Sequence, residues 1–368
     1  MRSLRDALVP ALLATTTLVA AAPTVWAQAE PPVVRPAGAL DIKIGGFVRF
    51  GLDFGRPDSS NLRELSFITD SEVHVSATGV ADASGLAYGA VIEFEADESS
   101  TRNVDETSIF FQGGWGRLVL GSNDSGTLEV GSLSAYAGTV FEDYYGGIGA
   151  QTVSAGSGGL DGDLSTLNPD GFVYSVFDSS DATKIRYDTM VLGAPQSGVV
   201  LSVAFTADSG SRGDISPEDS GDVENVVEAG ALYGLGWDGG HVILGGMIAL
   251  GSEEDDGAIP GGGDFFDYGI GAELFFGSFG VSGAFGQNES LEADWFSLGL
   301  GYRGEVFNAS LNYGGSDTDD GPAPQELIVS FDTGIVEGVA LQADLGMIDP
   351  DTGDDSFFSG LVRVQVAF

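Results

Sequence analysis

The sequence predicts an all-β protein: a transmembrane antiparallel β-barrel of about sixteen strands. Three observations predict it. From Asp41 onward apolar residues alternate with polar or small ones, the period of a strand with two unlike faces. The alternating segments run about 9 to 13 residues. A tilted strand needs about 9 to 11 to cross a bilayer, whereas soluble strands usually have about 5 or 6. Opposite the apolar face lie Gly, Ser and charged residues, with Arg or Lys beside Asp or Glu near mid-strand. That polarity suits a wet interior ringed by a lipid-facing band.

Composition agrees. Of 368 residues 57 are Gly and only 13 Pro, with no collagen-like period. The formal net charge is −41, yet 43% of residues are hydrophobic and 23 are Phe. A disordered acidic chain is poor in aromatics, so this one must fold around its apolar side chains. A basic stripe for nucleic acid is missing. Cysteine is absent, which excludes disulfides, thiolate metal sites and catalytic thiols.

Residues 1–27 read as a secretory signal: Arg2 and Arg5, an apolar stretch, then Val25-Trp26-Ala27 as the cleavage site, with Ala27-Gln28-Ala29 as second choice. Removing it takes away Arg2, Arg5 and Asp6 and leaves 12 basic against 54 acidic residues. No later apolar run reaches the roughly 18 residues of a transmembrane helix. Residues 28–40, containing EPPVVRPAG, are expected as an extended leader. The barrel is expected over 41–368.

The strands follow in order. In IKIGGFVRFGLDF (42–54), Ile42, Ile44, Val48, Phe50, Leu52 and Phe54 share one face, and Lys43, Arg49 and Asp53 the other. Segments 62–70 and 71–77 are read as two strands. In 85–96, Leu86, Tyr88, Ala90, Ile92 and Phe94 oppose Gly89, Glu93 and Glu95. Further segments centre on 104–112, 116–123, 183–191, 198–207, 226–237 and 241–251. In 265–276, Phe266 to Phe276 by twos oppose Asp267, Gly269, Gly271, Glu273 and Phe275. The series continues at 278–287, 294–303, 305–313, 325–333 and 339–347. Short turns such as DGG (238–240) and GSFG (277–280) mark hairpins. Longer acidic, Gly-rich connections such as 252–264, 314–324 and 349–355 roughly alternate with them.

The final segment, LVRVQVAF (361–368), sets Val362, Val364, Val366 and Phe368 against Leu361, Arg363, Gln365 and Ala367. Its pattern matches IKIGGFVRF, so the last strand is expected to pair with the first and close the ring. About sixteen strands enclose an interior too wide for side chains to fill, leaving an aqueous channel.

With these pieces in place, the sequence resembles the general diffusion porins of Gram-negative outer membranes, in particular the Rhodobacter-type porins. The matching pieces are the signal, the first strand IKIGGFVRFGLDF, and SGLAYGAVIEFEA as the third strand. GRLVLGSND (116–124) looks like the strand entering the family's long third loop, and KIRYDTMVLG (184–193) like the strand after it. Hairpins like YGIGAELFFGSFGVSGAFG and the terminal Phe368 complete the likeness.

The resemblance implies that residues 125–170 form a loop folded into the lumen that constricts it. Its acidic residues are Glu129, Glu142, Asp143, Asp161 and Asp163. By parity the facing wall carries Lys43, Arg49, Arg117 and Arg186, with Arg363. Opposed acid and base make a transverse field that favours polar solutes. The alternative for each Arg is a cross-strand ion pair with a neighbouring carboxylate. The resemblance also implies a homotrimer in outer-membrane lipid, and Phe368 as the signal read by the barrel assembly machinery. Asp161/Asp163 and Glu253–Asp256 offer oxygen ligands to Ca²⁺, but no complete 12-residue calcium loop is present.

The function expected is passage of small hydrophilic solutes and ions, with mild cation preference from the net charge. The alternatives are a substrate-specific outer-membrane channel and a soluble acidic β-rich surface or adhesive protein. A sugar channel would want a row of lumenal aromatics, and only Trp295 and Phe275 point inward by parity. An enzyme is not expected: His74 and His241 lie in distant strands, outside any metalloprotease, nucleophile-elbow or phosphate-loop motif.

Overall fold

The computed structural model describes residues 33–34, 40–54, 65–81, 84–95, 104–123, 179, 182–194, 197–209, 223–253, 263–289, 292–318, 323–349 and 356–368. The strands are β1 (Val33–Val34), β2 (Leu40–Phe54), β3 (Leu65–Ala81), β4 (Leu86–Glu95), β5 (Val104–Gly113), β6 (Gly116–Ser122), β7 (Thr183–Asp188), β8 (Leu192–Ala194) and β9 (Ser197–Asp208). They continue with β10 (Val223–Trp237), β11 (Gly240–Glu253), β12 (Asp264–Phe276), β13 (Phe279–Asn288), β14 (Ala293–Arg303), β15 (Phe307–Thr318), β16 (Gln325–Val336), β17 (Val339–Asp349) and β18 (Phe357–Ala367). All pairings are antiparallel between neighbours, and β18 returns to β2, with Val364 opposite Phe50. β7 and β8 both pair with β9 and form one interrupted stave, while β1 is a two-residue fringe on β2. The result is a closed ring of sixteen staves. Among the described residues each stave has a paired neighbour on both sides, which is what lets strands sit in hydrocarbon.

Two strand boundaries differ from the sequence reading. Segments 62–70 and 71–77 are one strand, β3, of 17 residues. Thr69-Asp70-Ser71 reads as a turn because these residue types favour one. Here Asp70 instead points inward onto Arg49, and the ladder to β2 runs through it unbroken. The 183–191 segment, in contrast, stops at Asp188. Thr189 spends its backbone N–H on the Leu201 carbonyl and its hydroxyl on the Leu201 N–H, and the strand resumes at Leu192. Stave length therefore ranges more widely than 9 to 13, down to 7 residues in β6.

The burial pattern is inverted relative to a water-soluble protein. In β12 it alternates strictly, with Phe266, Tyr268, Ile270, Leu274 and Phe276 exposed and Asp267 and Glu273 buried. Exposed aromatics form two rims. At the short-turn end Trp115 stacks on Tyr187 (6.1 Å between rings), and Tyr302 packs between Phe279 and Phe307 (5.3 Å each). At the other end are the pairs Phe50/Phe67, Phe266/Tyr268 and Phe296/Tyr313. From Phe266 to Phe276 the chain advances about 33 Å. At the roughly 40° tilt of such barrels this gives a height of about 25 Å, the thickness of an outer-membrane apolar band.

The ring is sealed at its last residue. Gly46 and Phe368 exchange two N–H···O bonds, each 3.1 Å. β18 covers residues 47–54 of β2, and Val33–Val34 covers Ile42 and Lys43 farther along the same edge. Gly46 has φ +150°, and a Cβ there would lie 2.1 Å from the Glu72 carbonyl oxygen. Only glycine fits the junction.

Candidate functional site: the lumenal wall

Opposed residues in an antiparallel ladder project to the same face, so the register hands one inward side chain to the next around the ring. Arg49, Arg117, Arg186 and Arg363 all lie on the inward face and are buried. Lys43 stands opposite Ser76 on the same face but is exposed. Glu129, Glu142, Asp143, Asp161 and Asp163 lie outside the described residues, as do the expected signal and the whole of the 125–170 segment.

A buried charge requires a partner, and the wall supplies them. Arg49 donates from Nη1 to Asp70 Oδ2 (2.9 Å) and from Nε to Gln365 Oε1 (3.0 Å), across both strands that flank it. Its guanidinium lies 4.0 Å from the Phe47 ring centre. Arg186 donates to Asp188 Oδ2 and Asn123 Oδ1, each at 3.3 Å, and Ser202 Oγ donates to the other Asp188 oxygen at 2.6 Å. Arg363 donates to Gln342 Oε1 (2.7 Å). Arg117, opposite Gln112 and Asp188, stacks over Phe110 at 4.8 Å. Basic groups thus cluster on two arcs, β18–β2 and β6–β7.

Parity reasoning missed part of the wall. Lys184 is buried two residues from Arg186 on the same face. Arg303, at the end of β14, lies 4.1 Å from the Phe275 ring centre and 3.9 Å from Glu273. Inward carboxylates are spread around the ring: Asp70, Glu72, Glu93, Asp188, Glu228, Asp267, Glu273, Asp332 and Asp344. The same period-2 count that finds the arginines finds these. Trp295 and Phe275 do face inward, on β14 and β12. Trp295 belongs to a buried apolar cluster with Val226, Met247, Ala249 and Phe265 on the β10–β14 wall.

Ser179 marks where the long connection after β6 returns. Its N–H and hydroxyl both donate to the Glu228 carboxylate, and its hydroxyl also lies 3.0 Å from that of Thr206. The returning chain is therefore fastened to inward side chains of β9 and β10.

A closed sheet with an oily outer belt and a charged interior defines a membrane-spanning channel. Among the described residues no helix is long and apolar enough to cross a membrane. A family model described as Gram-negative porin matches residues 14–353, and the chain belongs to that family, whose members are outer-membrane diffusion channels. The fold is similar to that of a mutant Rh. blastica porin at TM-score 0.58 and 15% identity, covering 89% of this chain and 100% of that one. It is also similar to OmpT, an outer membrane protein of Vibrio cholerae, folded in vitro, at TM-score 0.57 and 14% identity, covering 91% and 99%. No match was found among curated proteins.

Proposed function

We propose that the barrel passes small hydrophilic solutes and ions down their gradients, with a mild preference for cations. The observation that carries this reading is the acid on the inward face. Glu72, Glu93, Glu228, Asp267, Glu273, Asp332 and Asp344 face the lumen, while Arg49 and Arg186 are held by wall carboxylates at 2.9 and 3.3 Å. Paired cations contribute little net field, and carboxylates lining a pore favour cations. Low-dielectric walls focus that field into the water between them.

In this reading residues 125–170 narrow the passage, with Glu129, Glu142, Asp143, Asp161 and Asp163 opposite the basic arcs. The grip of Ser179 on Glu228 supports it, because it brings the returning chain to the inner wall. Residues 1–27 direct export, the β18 end with Phe368 is the handle for the barrel assembly machinery, and three copies assemble in the membrane. Any Ca²⁺ would be held by loop carboxylates. The role is transport rather than catalysis.

The test is a planar bilayer with purified, refolded protein in a KCl gradient. A reversal potential of cationic sign is expected. An anionic sign would refute the preference, and a silent bilayer would refute the channel.

A further inference from the structure

We propose that the lumenal wall carries a binding site for a divalent transition-metal ion, best suited to Zn²⁺, built from Glu72 and His74 of β3 and Glu93 of β4. The proposal rests on the channel reading in one respect: an ion held there stands in the conduction path.

One ligand atom from each of the three residues lies within 4.8 Å of the others. Register brings them together. Glu72 stands opposite Glu95 and His74 opposite Glu93, so four inward positions form a two-by-two patch of three carboxylates and one imidazole. Like charges directly opposite one another destabilise a sheet, and a bound cation reverses that cost. The Arg49 guanidinium, on the neighbouring strand β2, is held by Asp70 and Gln365.

The imidazole sits between the acids, with Nε2 3.0 Å from Glu72 Oε1 and Nδ1 3.8 Å from Glu93 Oε1. Nε2 is buried and makes no hydrogen bond despite that 3.0 Å approach. With bonds of about 2.1 Å, adjacent ligands of a tetrahedral ion stand roughly 3.4 Å apart. The Glu72–His74 edge is already near that value. The three ligand atoms lie within 4.8 Å of one another, so Glu93 must close by up to about 1.4 Å, within reach of its own side-chain torsions. Phe47 backs the His74 ring edge-on at 6.4 Å.

Donor chemistry selects the ion class. One imidazole with carboxylates suits Zn²⁺ and its neighbours, whereas Ca²⁺ and Mg²⁺ prefer oxygen alone. The other histidine shows the contrast. His241 Nε2 is 2.9 Å from Glu273 Oε1, but the Arg303 guanidinium lies 3.9 Å from that same oxygen. A cation already occupies the third corner there.

The experiment combines equilibrium dialysis with ZnCl₂ on refolded protein in detergent and bilayer conductance before and after micromolar Zn²⁺, then EDTA. His241→Ala should keep the tight Zn²⁺ class. His74→Ala should lose it, and the near-isosteric Glu93→Gln should weaken it by at least about tenfold, since losing even an outer-shell partner of a metal costs that much. Wild-type conductance should fall with Zn²⁺ and recover with EDTA, while His74→Ala should not respond. Folded gel mobility confirms that each variant is a barrel. Equal Zn²⁺ binding by wild type, His74→Ala and Glu93→Gln overturns the site, as does an absence of tight binding in wild type. Displacement of Zn²⁺ by equimolar Ca²⁺ overturns the choice of ion. Binding that depends on His74 in a protein that never conducts would uphold the metal site and sink the channel instead.

Discussion

Replacing Gly46 by Ala tests the seam that closes the ring. The added methyl would sit 2.1 Å from the Glu72 carbonyl oxygen and 3.1 Å from Val73 Cα, on a backbone with φ +150°. That is more than about 1 Å short of ordinary contact. β2 must therefore shift away from β3, and it is the same residue that exchanges two 3.1 Å bonds with Phe368. Two lost bonds cost about 1 kcal/mol each, and the strained backbone about 1–3 kcal/mol more. The sum is about 3–5 kcal/mol. At roughly 2 °C per kcal/mol for a large domain, the midpoint should fall by about 6–10 °C. The assay is electrophoretic mobility of unboiled protein after heating in steps, which separates folded barrel from unfolded chain. Gly45→Ala is the control, because its methyl would meet only the Phe368 carbonyl oxygen at 3.2 Å. That contact relaxes with a shift of a few tenths of an ångström. If Gly46→Ala melts with wild type, the two strands are not held at this rung as described.

Two further outcomes are expected. Leu274→Arg places a charge on the exposed outer face of β12, between the aromatic rims. It should destabilise the barrel in lipid by about 2–4 kcal/mol, with Leu274→Ala far milder, as measured by urea unfolding in vesicles. Arg49→Leu deprives Asp70 of its 2.9 Å partner and Gln365 of its 3.0 Å donor. Stability should fall by about 1–3 kcal/mol, and the reversal potential in a KCl gradient should move toward stronger cation preference as an inward carboxylate is unmasked.

The barrel was legible in the sequence because each face of each strand meets a single solvent. Phe266 to Phe276 by twos could be read without knowing any neighbour, and the ladder keeps that parity through every strand. Closure was legible for the same reason, since Arg49 and Gln365 occupy matching phases and do meet. The strand boundaries that misled were those where local chemistry and tertiary pairing disagree. Thr69-Asp70-Ser71 has turn composition, yet Asp70 is drawn into the ladder by Arg49. Tyr187 and Leu192 look continuous, but the backbone between them is diverted onto Leu201. Within the wall, parity fixed which way Arg186 and Arg363 point. It could not say that Asn123 and Gln342 would engage them, because those partners depend on stagger between strands; Asp188, two residues along β7 from Arg186, lay within its reach. The His74 patch was hidden likewise: Glu72 and His74 are two apart in sequence, but Glu93 joins them only through the β3–β4 register.

The bond between Arg49 and Gln365 spans 316 positions of chain. Each hairpin can zip as soon as its own two arms exist, but β2 gains its second neighbour only when residues 357–367 arrive. Until then it presents a raw row of donors and acceptors, intolerable in hydrocarbon and open to capture by a foreign strand. A message cut short before that point yields two unsealed margins rather than a slightly narrower tube. A single late nonsense codon should thus cost the cell the entire product, however well the earlier staves have paired.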